Sequence, residues 1–229
     1  MPDLERAVPL VDPLRAVQQA SEQLPFVELV VALDHLLRAN GKHFDHRVVV
    51  DRRELDRFAA SATGRGALRF REAARLARVG AESRMETLMR LAGVRVGMPE
   101  LSLQLQIKDG RGNPIGRFDA VDETTRSIFE YDGEQHLVSR RQRRRDARRL
   151  QAARDARWRV FVCFHEDLRG GLLRLGERML EFSGGRGRAV RPALARMLDE
   201  EPAGPTESAV PRGWSTPEPH RESSGRKAS

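Results

Sequence analysis

The stretch RFDAVDETTRSIFEYDGEQH, from Arg117 to His136, decides the predicted fold. Its apolar residues fall into two short runs on either side of the polar segment DETT: Phe118 with Ala120, and Ile128 with Phe129. Two short apolar runs joined by a polar turn are typical of a β-hairpin. The stretch therefore predicts two neighbouring strands of one sheet.

Three acidic residues lie in this predicted hairpin. Asp119 is in the first strand, and Glu130 and Asp132 are at alternate positions of the second. Because successive side chains of a strand point to opposite faces, Glu130 and Asp132 are expected on the same face. Carboxylates gathered on one face repel each other unless a cation lies among them, and hard oxygen ligands suit Mg²⁺ or Mn²⁺. We therefore predict that Asp119, Glu130 and Asp132 bind Mg²⁺ (or Mn²⁺).

The same residues carry a resemblance to known nucleases. An aspartate followed across a hairpin by Glu-x-acid, and then by a helix, resembles the PD-(D/E)xK nuclease core. The chain also resembles a bacterial family of uncharacterised proteins related to the very-short-patch-repair endonucleases, often fused to an antitoxin-like winged helix. This likeness rests on the segments ESRMETLMRLAG, RFD, FEYDGEQH, RRRDARRLQAARDARWRVFVCF and HEDL, between about residues 80 and 182. It implies a restriction-endonuclease-like fold and metal-dependent cleavage of DNA.

The resemblance also implies further catalytic residues. Many nucleases of this class have a lysine two residues after the ligand glutamate, but here that position is Asp132. This departure leaves His136 as the expected group for proton transfer or phosphate contact, with a metal ligand or a simple turn residue as the alternatives. A helix before the first strand often contributes a carboxylate, which here would be Glu82 or Glu86. Both remain equally well explained as solvated glutamates.

An arginine-rich helix is predicted from Val138 to Trp158. We expect its basic face to contact nucleic-acid phosphates. The predicted contact residues are Arg117, Arg141, Arg144, Arg145, Arg148 and Arg149. The alternative is a solvated face, or pairing with acids such as Asp146 and Asp155. The three hairpin carboxylates have a similar alternative, as strand-end acids paired with neighbouring arginines.

The overall charge agrees with a polyanionic partner. The chain has 229 residues, a formal net charge of +8 and a sequence pI near 10.8, which favours nucleic-acid binding. Only Lys42, Lys108 and Lys227 are lysines, and such an arginine excess is also expected of a GC-rich genome. The single cysteine, Cys163, lies in an apolar run and cannot form an internal disulfide. With no signal pattern and no long apolar stretch, we expect a cytoplasmic protein without a membrane partner.

The expected fold class is α/β, a restriction-endonuclease-like core with a mixed four-stranded sheet flanked by helices. Residues 1–79 are predicted as a helical N-terminal region, 80–184 as the nuclease domain, and 185–229 as a flexible basic, Pro- and Ser-rich tail. The expected function is Mg²⁺-dependent DNA cleavage in DNA repair or phage defence. The alternative is a catalytically weak or inactive nucleic-acid-binding regulator or antitoxin component. DNA is the expected partner, and a homodimer is left open.

Overall fold

The computed structural model describes residues 11–37, 50–133 and 140–200. Helices and strands follow one another in an order that places three consecutive strands between two helices. In chain order the elements are α1 (Pro13–Ala20), α2 (Phe26–Leu36), α3 (Arg52–Ser61), α4 (Ala67–Leu76), α5 (Arg84–Arg95), β1 (Ser102–Lys108), β2 (Pro114–Asp122), β3 (Ser127–Tyr131), α6 (Arg140–Asp155), β4 (Arg159–Cys163), α7 (His165–Arg169), α8 (Gly171–Ser183) and α9 (Pro192–Leu198).

The four strands form one mixed sheet in the order β1-β2-β3-β4. The pairs β1–β2 and β2–β3 are antiparallel, and β3–β4 is parallel, with α6 as the crossover. The predicted hairpin is confirmed as β2 and β3. Its turn is held by Asp122, whose Oδ1 accepts hydrogen bonds from the backbone N–H groups of Thr124 and Thr125. The polar segment seen in the sequence therefore closes the hairpin, as an Asx-type turn does.

Helices cover both faces of the sheet, as predicted. On one face, Ala120 and Phe129 pack against residues of α5 and α8 such as Met89 and Leu175. On the other face, a second cluster joins the sheet to Ala153 of α6, and its remaining buried members are Ile107, Phe118, Val121 and Ile128. The observed architecture is thus α/β, with a mixed four-stranded sheet between helices.

The described part of the N-terminal region is helical, and it shares its core with the rest of the chain. One apolar cluster contains Leu14 and Phe26, Leu88 and Leu91 of α5, and Leu194 of α9. The contact between α2 and α5 also contains a buried ion pair, in which Nη2 of Arg90 lies 2.8 Å from Oδ2 of Asp34. The predicted boundary near residue 79 therefore crosses a continuous core.

Residues 185–200 belong to the packed structure. The sequence suggested a flexible tail from residue 185 with a short helical piece from Pro192 to Glu200, and that piece is present as α9. Leu194 and Leu198 of α9 are buried, and Glu200 forms an ion pair with Arg69. The glycines before α9 permit close backbone contact: a Cβ on Gly187 would overlap the Val96 carbonyl oxygen. Composition suggested flexibility because Gly and Arg dominate this segment, whereas the glycine is needed for packing. The remainder of the predicted tail, from residue 201, lies outside the described residues.

No helix within the described ranges is long and apolar enough to cross a membrane.

Candidate active site

Asp119 and Glu130 meet where the pairing of β2 with β3 stops. Regular pairing runs from Asp122–Ser127 to Ala120–Phe129. Beyond it, each carboxylate accepts a hydrogen bond from the opposite strand. Oδ2 of Asp119 accepts from the Tyr131 N–H at 2.9 Å, and Oε1 of Glu130 accepts from the Asp119 N–H at 3.0 Å. The backbone therefore fixes both carboxylates, and the structure brings these two predicted residues together.

Glu86 reaches the same place from the N-terminal turn of α5. Its carboxylate accepts hydrogen bonds from the backbone N–H of Glu82 at 2.8 Å and from the Ser83 hydroxyl at 3.0 Å. The sequence left Glu82 and Glu86 open as candidates. The structure places Glu86 beside Asp119, whereas Glu82 forms an ion pair with Arg117, with Nη1 2.9 Å from Oε1.

Gln104 of β1 lies between two of these carboxylates. Its Nε2 donates to Oε2 of Glu86 at 3.1 Å and makes a longer contact of 3.5 Å with Oδ1 of Asp119. Gln104 has a φ of 51°, in the left-handed region that residues other than glycine rarely adopt. Such backbone strain persists only where surrounding contacts enforce it, and it is common at functional sites. Sequence reasoning missed Gln104, because no pattern in the sequence signals a left-handed residue inside a strand.

Burial and mutual repulsion change the ionisation of this cluster. The pKa of Asp119 is raised to about 7, chiefly by burial and then by the negative charges of Glu130 and Glu86. Burial also raises the pKa of Glu86, against its hydrogen bonds from Glu82 and Ser83. Protonation of Asp119 near neutral pH therefore relieves the repulsion among the three carboxylates, and a bound cation would relieve the same repulsion.

Arg149 of α6 supplies one cation to the cluster. Its Nη2 lies 2.8 Å from Oε2 of Glu130, and its Nη1 donates to Oε1 at 3.3 Å. Nη1 also donates to the backbone carbonyl of Arg117 at 2.6 Å. Burial disfavours the guanidinium charge, but the hydrogen bond and charge of Glu130 outweigh it, so the pKa of Arg149 is raised. The structure thus places Arg149 inside the site, whereas the sequence suggested a nucleic-acid contact on the outer face of the helix.

The other predicted site residues are not brought into this cluster. Asp132 is exposed, just past the end of β3, and its backbone N–H donates to the Cys163 carbonyl at 2.9 Å. Its carboxylate has no hydrogen bond or ion pair with the residues described. His136 lies outside the described residues, so its predicted role stays a prediction.

The cluster has the donor atoms that magnesium prefers, but in a looser set than predicted. Within residues 11–37, 50–133 and 140–200, no group of three or more His, Cys, Asp or Glu side chains is placed to hold a metal ion. Glu130 instead turns both oxygens toward Arg149. Mg²⁺ typically uses only one or two protein carboxylates and completes its coordination with water and substrate phosphates. Asp119 and Glu86 supply two carboxylates, and Gln104 a nearby amide, which are ligand types that Mg²⁺ accepts.

The remaining predicted nucleic-acid contacts lie on the outer surface. Arg117 is exposed and paired with Glu82. The exposed arginines of α6 form none of the ion pairs found among the described residues. Four of them are the predicted contact residues Arg141, Arg144, Arg145 and Arg148. This exposed surface lies on the helix that also carries Arg149, whose guanidinium contacts Glu130.

Comparisons of the chain with protein-family models, curated proteins and solved structures find no significant match in any of the three.

Proposed function

We propose that this protein is a Mg²⁺-dependent (or Mn²⁺-dependent) DNA endonuclease with a restriction-endonuclease-like core. The observation that carries the proposal is the meeting of Asp119, Glu130 and Glu86 at the end of the hairpin, with the pKa of Asp119 raised to about 7. The order of the elements supports the proposal. Helix α5, three strands, helix α6 and strand β4 follow one another, an order compatible with the PD-(D/E)xK nuclease core that the sequence resembles.

Each residue of the cluster has a task in phosphodiester hydrolysis. Asp119 and Glu86 would hold the ion, which when bound neutralises phosphate charge and lowers the pKa of its water. Gln104 keeps these two carboxylates apart and in place through its amide hydrogens. Glu130 fixes Arg149 beside them. His136 remains the proposed proton-transfer group.

DNA is the proposed substrate because of the charge around the cluster. The exposed arginines of α6 lie on the helix that sends Arg149 to Glu130, so one helix would contact both the flanking and the reacting phosphates. Contacts of this kind carry no sequence information, since the phosphate backbone is the same for every sequence. The surface therefore supports DNA binding and leaves the sequence preference undetermined.

Cleavage of a supercoiled plasmid tests the proposal. The wild-type protein should cut in Mg²⁺ or Mn²⁺ and not in EDTA, and Asp119→Asn and Glu86→Gln should lose the activity while remaining folded. Glu166→Gln is the matched control, because Glu166 is an exposed carboxylate of α7 outside the cluster, and it should cut like wild type. Full activity of Asp119→Asn would remove the cluster from the mechanism.

A second candidate is a nucleic-acid-binding regulator or antitoxin component without strong catalysis. The ion pair between Glu130 and Arg149, and the acidic Asp132 at the usual lysine position, favour it. This candidate predicts DNA binding by the wild-type protein without strand cleavage in either metal. DNA binding and DNA cleavage measured on the same preparation separate the two candidates, whether the pathway is DNA repair or phage defence.

A further inference from the structure

The site lacks a lysine where many related nucleases have one. That position is Asp132, which is negatively charged, exposed and without a partner among the described residues. Hydrolysis of a phosphodiester places additional negative charge on the phosphate oxygens, and a cation aimed at them lowers the barrier. The position two residues after Glu130 therefore does not provide the group that the chemistry needs.

Arg149 brings a positive charge to the cluster from a different element. Its side chain lies across Gly116 of β2, where an added Cβ would be 2.6 Å from Cδ and 2.8 Å from Cγ of Arg149. The guanidinium carbon lies 4.7 Å from the ring centroid of Phe118, a cation–π contact. These contacts, together with the hydrogen bonds to Glu130 and to the Arg117 carbonyl, hold the guanidinium of Arg149 in place. A surface arginine that only attracts DNA needs no such groove.

The guanidinium retains donors for a ligand. An arginine has five N–H hydrogens. Nη1 uses its two on Arg117 O and Glu130 Oε1, and Nη2 uses one on Glu130 Oε2. The second hydrogen of Nη2 and that of Nε have no hydrogen-bond partner among the described residues. The side chain is 25% exposed, so a phosphate oxygen can approach these donors.

We propose that Arg149 is a catalytic residue that contacts a non-bridging oxygen of the scissile phosphate and replaces the missing lysine. This inference rests on the proposed nuclease function. In the reaction, a water oxygen bonds to phosphorus while the bond from phosphorus to the leaving sugar oxygen breaks. The attacking water loses one proton, which passes to solvent through the proton-transfer group proposed above, and the leaving oxygen takes one proton from solvent. Arg149 keeps its proton throughout and stabilises the charge on the phosphate oxygens.

A purely structural role for Arg149 predicts a different outcome. If it served only to neutralise the buried Glu130, its removal would lower stability and would affect cleavage only as far as the fold is lost. If it served only to attract DNA, its removal would weaken binding and flatten the salt dependence of affinity, with the rate of bound substrate unchanged. The rate of cleavage of bound DNA therefore distinguishes a catalytic role from both.

Single-turnover cleavage with saturating protein is the test, alongside DNA affinity at several salt concentrations and thermal unfolding. Arg149→Gln should lower the cleavage rate about 10²- to 10³-fold, with DNA affinity within a few-fold of wild type. Arg149→Lys should recover part of the rate, because it restores the charge without the forked geometry. Arg53→Gln is the matched control: Arg53 is an exposed arginine of α3, outside the carboxylate cluster and outside the predicted contact residues, and its replacement should leave DNA affinity and the single-turnover rate unchanged.

A second variant covers the case in which Arg149→Gln unfolds. Gly116→Ala keeps the guanidinium but displaces it, since its Cβ would overlap Cδ and Cγ of Arg149. It should fold and lose at least about tenfold in single-turnover rate. A folded Arg149→Gln protein that cleaves at the wild-type rate overturns the assignment and leaves the nuclease function standing. A wild-type protein that cuts in neither metal overturns both.

Discussion

Two aspartates, Asp34 and Asp119, differ in how the surrounding protein neutralises their negative charge: Asp34 is buried and Asp119 is half-buried. Asp34, in α2, is 1% exposed and is surrounded by donors. Its Oδ1 accepts from the Arg78 N–H at 2.7 Å, and its Oδ2 accepts from the Thr87 hydroxyl and from Nη2 of Arg90, both at 2.8 Å. Asp119, in β2, accepts one backbone N–H at 2.9 Å and faces Glu86 and Glu130. Asp34 is therefore neutralised by a buried arginine, whereas Asp119 keeps a net repulsion from its neighbouring carboxylates.

The difference separates a structural ion pair from a cluster of carboxylates whose mutual repulsion a proton or a bound cation would relieve. The Asp34–Arg90 pair joins the N-terminal helices to α5 through groups of the protein alone. Glu86 lies on the same helix, one turn before Arg90, and contributes negative charge to the cluster around Asp119. Helix α5 is therefore held by a neutralised pair at its centre while its N-terminal turn faces a cluster of carboxylates. Proteins tolerate such a cluster where a cation or a proton completes it.

The largest effect should follow from breaking the compensated pair. Asp34→Ala leaves the Arg90 guanidinium buried without its anion, and we expect a loss of about 3–5 kcal/mol in the free energy of unfolding. Denaturant titration of the purified protein measures it. Asp56→Ala is the control, since it breaks an exposed pair with Arg52 and should cost at most about 1 kcal/mol. Equal, small losses for both would mean that Asp34 does not anchor α5.

A smaller loss is expected from Gly176→Ala, on the opposite side of α5. A Cβ at this position of α8 would overlap the Ala92 carbonyl oxygen, so the helices must separate at a cost of about 1–3 kcal/mol. Helix propensity alone favours alanine by about 1 kcal/mol, so the sign of the change is informative. Gly110→Ala is the control, because nothing lies within 4 Å of its added Cβ. A stabilised Gly176→Ala protein would refute the close packing of α5 on α8.

Replacing Asp119 should raise the stability of the protein, whereas replacing Asp34 should lower it. The pKa of Asp119 is raised from 3.8 to about 7, so between these values the folded state binds more protons than the unfolded state, and stability falls as pH rises. Asp119→Asn removes this penalty. In EDTA at pH 8 it should therefore be more stable than wild type by on the order of 1 kcal/mol, after allowance for partial exposure. The gain should vanish near pH 4.

Thermal unfolding across that pH range checks the sign. The charged groups that face Asp119 are Glu130, Glu86 and Arg149. Glu130→Gln removes one of the two repelling charges, so its stability should fall less steeply with rising pH than that of the wild type. A lower stability of Asp119→Asn at pH 8 would mean that Asp119 is compensated like Asp34, and the comparison between the two aspartates would fail.

The smallest effect on stability is expected on the outer face of α6. Replacing Arg144, Arg145 and Arg148 with Gln should change the free energy of unfolding by no more than about 0.5 kcal/mol, because these side chains are exposed. DNA affinity should nevertheless fall. The slope of log K against log salt should become shallower by about 0.9 for each phosphate that the protein no longer neutralises. An unchanged slope would remove this face from the DNA-binding surface.

The sequence predicted the hairpin and its central carboxylates because their causes are local. A polar turn between two apolar runs, and the alternation of side chains along a strand, need no knowledge of distant residues. The alternation fails at Asp132 for an equally local reason. The strand ends at Tyr131, and beyond it the rule for side-chain direction no longer applies.

The rest of the site depends on contacts between distant residues. Arg149 meets Glu130 because α6 crosses over the sheet, and it fits only because Gly116 lacks a side chain. The left-handed backbone of Gln104 is imposed by its surroundings and not by its residue type. Similarly, the glycines near residue 187 suggested a flexible tail from composition, whereas their absence of a side chain serves close packing. Spacing in one sequence shows none of these relations.

Titration of the metal-free protein with Mn²⁺, followed by calorimetry or by the paramagnetism of the ion, tests most directly whether the cluster around Asp119 takes a cation. The wild-type protein should bind Mn²⁺, and Asp119→Asn should weaken binding at least about tenfold, whereas Glu166→Gln should bind like wild type. Equal Mn²⁺ affinity of the wild-type and Asp119→Asn proteins, or no binding by either, would contradict the assignment of this cluster as a cation site.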